Sequence, residues 1–237
     1  MSAPLRGRAI IAAMSPPILL SPNEARVLAA LVEKSITTPQ YYPMTVNALM
    51  MAANQKNSRH PVMTLTEGDT GAALNQLEAD KFATRDDNAG RVPKWRHRFQ
   101  HQMLLKAPTM AVLATLMLRG PQTPAELRAN AAVLNGPTDA DGVQAALNDL
   151  ADRAQPLVQQ LPRQPGQAAS RWMHLLSGPP DAALLEAAVA ASPAAARPAS
   201  AAPSGGGMER LGQLEGRVAE LEARLAELEG RLTAAGG

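Results

Sequence analysis

The sequence predicts a mostly α chain with small β-hairpins, an α+β protein in which one small domain occurs twice ahead of a separate helical tail. Val27-Leu28-Ala29-Ala30-Leu31, closing on Thr38-Pro39, returns as Val112-Leu113-Ala114-Thr115-Leu116, closing on Thr123-Pro124 at the same spacing. Downstream, Ala72-Ala73-Leu74-Asn75-Gln76-Leu77 reappears as Ala145-Ala146-Leu147-Asn148-Asp149-Leu150, and Lys94-Trp95-Arg96-His97 as Arg171-Trp172-Met173-His174. Matches in one order but at different offsets are what a duplicated domain leaves after its loops change length. The third observation is a leucine heptad confined to the C-terminal end.

Each element follows from local chemistry. Ser21-Pro22-Asn23-Glu24 is a capping box with proline at the first helical position, so a helix starts there, with Val27, Leu28, Leu31 and Val32 as its buried stripe. A second helix runs from about Thr45 to Asn54, followed by the polar loop Gln55-Lys56-Asn57-Ser58-Arg59-His60-Pro61. Thr66-Glu67-Gly68-Asp69 starts a third helix that ends near Lys81. Phe82 to Arg85, a turn at Asp87-Asn88-Ala89-Gly90, and Arg91 to Phe99 then read as a hairpin. Three helices and a two-stranded hairpin make a winged helix.

The second copy repeats this order. Its helices run over Thr109 to Leu118, Pro124 to Ala132 and Thr138 to Asp152, and its strands lie near Leu157 to Leu161 and Ser170 to Leu176. Val112, Leu113, Leu116 and Met117 form its equivalent stripe. The loop matching residues 55 to 65 is reduced. The predicted organisation is a disordered leader (1–20), a first winged-helix domain (21–106), a second (107–178), an Ala/Pro/Gly-rich linker (179–207) and a coiled coil (208–233). Within the linker region a short helix is predicted at Asp181 to Ala191, and flexible chain of this length spans roughly 30 Å.

In the tail, Leu211, Leu214, Val218, Leu221, Leu225, Leu228 and Leu232 alternate spacings of three and four, the seam of a coiled coil. Arg210, Arg217 and Arg224 then occupy g positions, and Glu215, Glu222 and Glu229 occupy e positions. A parallel pair sets every Arg against a Glu, whereas an antiparallel pair opposes like charges. The tail therefore predicts a parallel homodimer. Gly212, Gly216 and Gly230 on the outer face each cost roughly 1 kcal/mol of helix propensity, so the coil is weak alone.

Composition narrows the classes further. The 237 residues contain no cysteine, which excludes disulfides and thiolate metal sites and fits a cytoplasmic location. Arg6 and Arg8 before Ala9 to Met14 have the look of a signal peptide, but Pro16-Pro17 interrupts a very short apolar run; Met14 is an alternative start. No stretch approaches the roughly 20 apolar residues of a membrane span.

Charge is distributed unevenly. Residues 21–106 hold 11 Lys/Arg and 8 Asp/Glu, whereas residues 107–178 hold 5 of each. Period two along Val92 to Phe99 projects Lys94, Arg96 and Arg98 from one face of the first hairpin, with Arg85 and Arg91 nearby and Lys56 and Arg59 in the polar loop. These seven are the candidate nucleic-acid contacts, suited to phosphates, which give affinity without sequence information. The alternative is an ordinary solvated strand face. In the second copy the equivalents of Lys94, Arg96 and Arg98 are Arg171, Met173 and Leu175, so that face reads as a packing or docking surface.

The third helix of each copy argues against deep insertion into a DNA groove. The first carries Glu67, Asp69, Glu78 and Asp80, the second Asp139, Asp141, Asp149 and Asp152, although acids near a helix start also serve as caps. No phosphate-binding glycine loop, metal-ligand cluster or nucleophile elbow is present, so no catalytic residue, metal or cofactor is assigned. His97 and His174 share one repeated position and read as hairpin core; His60 and His101 have no spaced acidic or histidine partner.

Taken together, the segments Thr37-Thr38-Pro39 with Tyr42-Pro43, Asn54-Gln55-Lys56-Asn57 with Arg59 and Pro61-Val62-Met63, Arg119-Gly120 with Gln122-Thr123-Pro124, and Trp172-Met173-His174-Leu175 are distinctive, as are Arg91-Val92 with Lys94 and Phe99. Over Leu20 to Gly178 the chain resembles the YceH-like family of bacterial tandem winged-helix proteins, whose role is uncharacterised. That resemblance implies the same fold, accommodates a leucine-heptad tail and supplies no catalytic residues. Trp95 and Trp172 stand where the resemblance leads one to expect tyrosine. The expectation is a non-enzymatic dimer, a regulator or nucleoid-associated factor, that binds double-stranded DNA through the first wing. The competing expectation is an adaptor that docks a partner protein, similar to the winged-helix accessory subunits of bacterial condensins.

Overall fold

The computed structural model describes residues 18–86, 92–163, 167 and 169–179. The expected leader up to residue 17, the hairpin turn with Arg91, the Asp181 to Ala191 helix, the linker and the heptad tail lie outside the described residues. Seven α-helices and two antiparallel strand pairs appear in the order α1 (Pro22–Thr37), α2 (Val46–Ala53), α3 (Glu67–Ala79), β1 (Ala83–Asp86), β2 (Lys94–His97), α4 (Phe99–Gln102), α5 (Ala107–Arg119), α6 (Pro124–Ala131), α7 (Ala140–Ala151), β3 (Val158–Gln160) and β4 (Trp172–His174). Short 3-10 turns at Pro39–Tyr41 and Ala132–Leu134 follow α1 and α6.

The caps act where the sequence places them. The Glu24 amide donates to Ser21 Oγ at 3.3 Å, and the Ser21 amide donates to Glu24 Oε2 at 3.0 Å. Thr66 with Asp69 and Thr123 with Glu126 form the same reciprocal box at the starts of α3 and α6. Asp139 caps α7 by accepting from the Gly142 amide at 2.7 Å. Each box satisfies amides that the first helical turn leaves without a partner.

The ends of the elements show where tertiary packing intervenes. α3 stops at Ala79, and Lys81 falls beyond it in the left-handed region at φ 64°. β2 ends at His97 instead of continuing to Phe99. Phe99 opens α4, fully buried, and its ring meets Phe82 edge-on at 6.0 Å between centroids, so burying that ring turns the chain out of the sheet. β1 pairs with β2 from Ala83 opposite His97 to Asp86 opposite Lys94, and β3 pairs with β4 from Val158 opposite His174 to Gln160 opposite Trp172.

The two tryptophans correct the alignment of the copies. Met44 bridges Trp95 and Gln122 bridges Trp172, which makes Thr45 and Thr123 the equivalent helix caps. Thr38-Pro39, expected to match Thr123-Pro124, instead belongs to an insertion in the first copy that carries the 3-10 turn.

The buried residues form one cluster running through both copies. α1 contacts α2 and α3 of its own copy and α5 of the other. Consequently every residue from Ala25 to Glu33 is buried, beyond the four-residue stripe, and α5 is buried from Thr109 to Leu118. The apolar α5 fits a place in the middle of a core, whereas α1 enters it carrying charged residues. The Leu20 amide also donates to the Leu176 carbonyl at 2.6 Å, tying the beginning of the first copy to the end of the second.

Burying α1 on all sides takes Arg26 and Glu33 inside with it, at 2 % and 9 % exposure. The polar loop after α2 supplies Arg59, whose Nη1 and Nη2 donate to the two Glu33 carboxylate oxygens at 3.0 and 2.6 Å. Arg59 also donates to the Ala52 carbonyl at 2.9 Å and to Gln55 Oε1 at 3.1 Å. Arg26 donates to the carbonyls of Ala53 and Pro61 at 3.3 and 2.7 Å. The two arginines thus cap the end of α2 and hold the loop down. The far side of the loop meets α5: the His60 amide donates to the Leu118 carbonyl at 2.8 Å, and Arg119 Nη2 donates to Ser58 Oγ at 2.7 Å. Gly120 ends α5 at φ 71°, where a Cβ would lie 3.1 Å from the His60 ring.

Removing one partner of a buried ion pair strands the other charge. Arg59→Ala is therefore expected to cost about 3–5 kcal/mol in chemical denaturation. The paired replacement of Glu33 by Leu and Arg59 by Met should lose less. A single-variant loss below about 1 kcal/mol would refute the importance given to this pair.

Candidate nucleic-acid interface

Within the first hairpin the pleat turns Lys94 and Arg96 away from Trp95, whereas Arg98 lies just past β2 at the start of α4. Trp95 on β2 is 3 % exposed and faces the core, while Arg96 and Arg98 are exposed and Lys94 is half-buried. Two of the hairpin arginines meet acids across the surface. Arg96 Nε donates to Asp86 Oδ2 at 2.9 Å, and the Arg96 guanidinium lies 5.8 Å from the centre of the Tyr42 ring. Arg85 pairs with Glu78 at 3.4 Å and stacks 4.9 Å from the centre of Trp95. Lys94 and Arg98 make no ion pair among the described residues. Lys56 is exposed on the loop.

Arg59 is the correction. It was expected among the phosphate contacts, but its side chain is fully buried and both terminal nitrogens bind Glu33. Its fate depends on Glu33, 26 residues earlier, which becomes its partner only when α1 enters the core. Arg91 lies outside the described residues.

In the second copy the cation before the tryptophan has a different setting. Arg171, equivalent to Lys94, is 8 % exposed. It donates to both Glu126 oxygens at 2.9 and 3.1 Å and to the Pro121 carbonyl at 2.8 Å. The alignment through Thr45 and Thr123 puts Ala48 where the second copy has Glu126. The first copy therefore has no acid at that place, and Lys94, half-buried, makes no ion pair among the described residues.

Beside the hairpin, a groove of about 610 Å³ is lined by Val46, Val92, Pro93 and Trp95, with Asn47, Glu67, Asn75 and Arg85 among its polar residues. On the outer surface of α3 the exposed residues include Glu67, Asp69, Asn75, Gln76 and Asp80, without a cation inside the helix. Asp69 is held below the usual carboxylate range by the Thr66 hydroxyl and amide, so its charge is committed to the cap. Such a face disfavours close approach of phosphates along α3.

Tyr42 and Ser35 anchor the buried side of the hairpin. The His97 amide donates to Tyr42 Oη at 2.6 Å, and Ser35 Oγ lies 3.1 Å from His97 Nε2. Ser35 Oγ also donates to the Val32 carbonyl at 2.7 Å. With its one proton used there, the hydroxyl accepts from His97 Nε2–H, which leaves Nδ1 bare. That nitrogen has no hydrogen-bond partner, and neither does Nδ1 of His174. Burial lowers His97 to about 4, with a smaller contribution from His101, and lowers His174 to about 4. Burial also raises the Tyr42 phenol to about 12. Among the described residues no group of three His, Cys, Asp or Glu side chains is placed to hold a metal, and no helix is long and apolar enough to cross a membrane.

Residues 20–167 match the family described as "Protein of unknown function, DUF480". The chain is 46% identical over 164 residues to a UPF0502 protein of Geobacter sulfurreducens, covering 69% of this chain and 75% of that one. It is 48% identical over 162 residues to a UPF0502 protein of Chromobacterium violaceum, covering 68% and 74%. Against a UPF0502 protein of Burkholderia vietnamiensis it is 46% identical over 159 residues, 67% of each chain.

The two depressed histidines set a pH dependence. In the unfolded chain a histidine takes its proton near 6.5, whereas folded His97 and His174 resist until about 4. The unfolded state binds more protons between those values, so stability is full above 6.5 and falls as pH drops toward 4. Thermal melts from pH 7.5 to 4.5 should show this decline, and His97→Gln with His174→Gln should flatten it; an unchanged slope in the double variant would contradict the assignment.

Proposed function

We propose that this chain, which belongs to the DUF480 family of proteins of unknown function, is a non-enzymatic cytoplasmic DNA-binding protein. On this reading its two copies are tandem winged helices of the YceH-like kind and its heptad tail joins two chains in a parallel homodimer. The observation that carries the reading is the outward row of Lys94, Arg96 and Arg98 on the first hairpin, set against a second copy in which Arg171 is buried against Glu126. Only one of two similar units keeps a cationic strand. The partners of Arg96 and Arg85 do not remove them from use, because exposed ion pairs contribute about 0–1 kcal/mol and exchange readily for phosphate. Acidic residues at both ends of α3 oppose insertion into the major groove, so affinity comes from phosphate contact with little base specificity. A regulator or nucleoid-associated factor fits that behaviour.

The groove beneath Trp95 favours a second reading, a protein-interaction adaptor. Its apolar floor of Val46, Val92, Pro93 and Trp95 with amide and acidic edges is of a kind that holds a partner chain. A stoichiometric protein recovered with the chain from native lysate, together with no affinity for duplex, would favour it.

Replacing Lys94, Arg96 and Arg98 with Glu is expected to abolish binding of a labelled random duplex, measured by fluorescence anisotropy, without changing the melting profile. Unchanged affinity would refute the hairpin assignment. Light scattering behind size exclusion should give a dimer for the full chain and a monomer for a chain ending at Gly207; a monomeric full chain would refute the tail assignment.

A further inference from the structure

The loop from Gln55 to Pro61 gathers more positive charge than the surrounding structure neutralises. Hydrogen bonds link its members continuously. Lys34 Nζ reaches Gln55 Oε1 at 3.5 Å and Glu33 Oε2 at 3.2 Å, and Gln55 Oε1 accepts from Arg59 at 3.1 Å. Arg59 donates to the Ser58 carbonyl at 3.0 Å, and Ser58 Oγ accepts from Arg119 of the second copy at 2.7 Å. Arg26 sits below, close enough that the Arg59 charge, after burial, depresses it to about 10. Exposed Lys56 adds a fifth cation at the rim.

Among the described residues Glu33 is the one carboxylate in this network, and it is already engaged by Arg59 and Lys34. Helix ends contribute further negative character: α1, α2 and α5 all end here, each worth roughly half a charge over its last turn. Five cations still exceed that total. Burial first, and the Arg59 charge after it, lower the Arg119 pKa against the opposing pull of Glu33. The Nε atoms of Arg26 and Arg59 are buried without partners. Ser58, between the two copies, is held in the left-handed region at φ 63°, a strained conformation for serine, and its hydroxyl meets Arg119 at the surface.

We propose that this junction is a second phosphate-binding site for duplex DNA, separate from the hairpin and formed jointly by both copies. Lys56 and Arg119 contact the backbone phosphates directly, and Lys34 flanks them. Arg26 and Arg59 are positioning residues: they hold the loop and supply the unbalanced field beneath it. The two copies share one core, so a phosphate run crossing this junction meets a preformed surface.

The inference rests on the DNA reading, and the test separates the two. Affinity for a labelled random duplex is measured by anisotropy across a sodium chloride series for the full chain, for Lys56→Gln, for Lys56→Gln with Arg119→Gln, and for the hairpin Glu variant. Each lost phosphate contact reduces the slope of log affinity against log salt by about 0.9. The expected reduction is about one for Lys56→Gln, whose side chain is exposed and whose loss leaves the fold intact, and about two for the double variant. Unchanged slopes in both variants, with binding still lost in the hairpin variant, overturn the junction site and leave the hairpin reading standing. No binding by the unaltered chain at low salt overturns both.

Discussion

Burial of α1 between the two copies is the constraint on which the rest of the structure depends. A helix exposed on one side would have left Arg26 and Glu33 in water. Placed between α2, α3 and α5, it takes both into the core. Taking charge out of water costs several kcal/mol per ion unless a partner and hydrogen bonds are supplied. Arg59 is drawn from the loop to meet Glu33, and Arg26 is satisfied by the carbonyls that end α2 and the loop. The loop is therefore shaped by the needs of a helix that precedes it by more than twenty residues. Its backbone then has to be satisfied on the other side, which the Leu118 carbonyl and Arg119 accomplish. In this way a polar segment joins two copies whose apolar residues already form one core.

The same constraint withdraws one candidate cation from solvent. Of the seven candidate nucleic-acid contacts, Arg59 is consumed inside, Arg85 and Arg96 share acids at the surface, exposed Lys56 and Arg98 and half-buried Lys94 make no ion pair among the described residues, and Arg91 lies outside those residues. Arg119 was absent from that group. It lies in the last turn of α5, a place where a basic residue ordinarily caps the helix, and nothing in the local pattern distinguishes it from such a cap. Only the approach of Ser58 from the first copy gives it a second setting.

Comparison of the copies shows how a repeated cation meets two different surroundings. Both retain the bridge that holds the tryptophan strand, Met44 to Trp95 and Gln122 to Trp172, because it closes the hairpin against the helices. Around that shared frame, Glu126 turns Arg171 inward, whereas Ala48 leaves Lys94 without an equivalent acid. A difference of one side chain at a helix start thereby converts a surface cation into a packing residue. The histidines changed less: His97 and His174 are both half-buried, and desolvation lowers the pKa of each to about 4.

Caps, helix order, hairpin pairing and the existence of two copies were legible in the residues because each depends on chemistry within a few positions. Ser21 and Glu24, Thr66 and Asp69, and Thr123 and Glu126 recognise one another across a single turn. Alternation along β2 similarly determines which side chains point inward. The shared core, the end of β2 at Phe99, the true match of Thr45 with Thr123 and the burial of Arg59 were settled by tertiary structure alone. Each depends on partners brought together from distant parts of the chain, and a charge reads the same in sequence whether its environment is water or Glu33. Sequence determined the repeated elements and the cations they carry; tertiary packing decided which of those cations leave the surface, Arg59 drawn in by Glu33 of the buried α1 and Arg171 by Glu126.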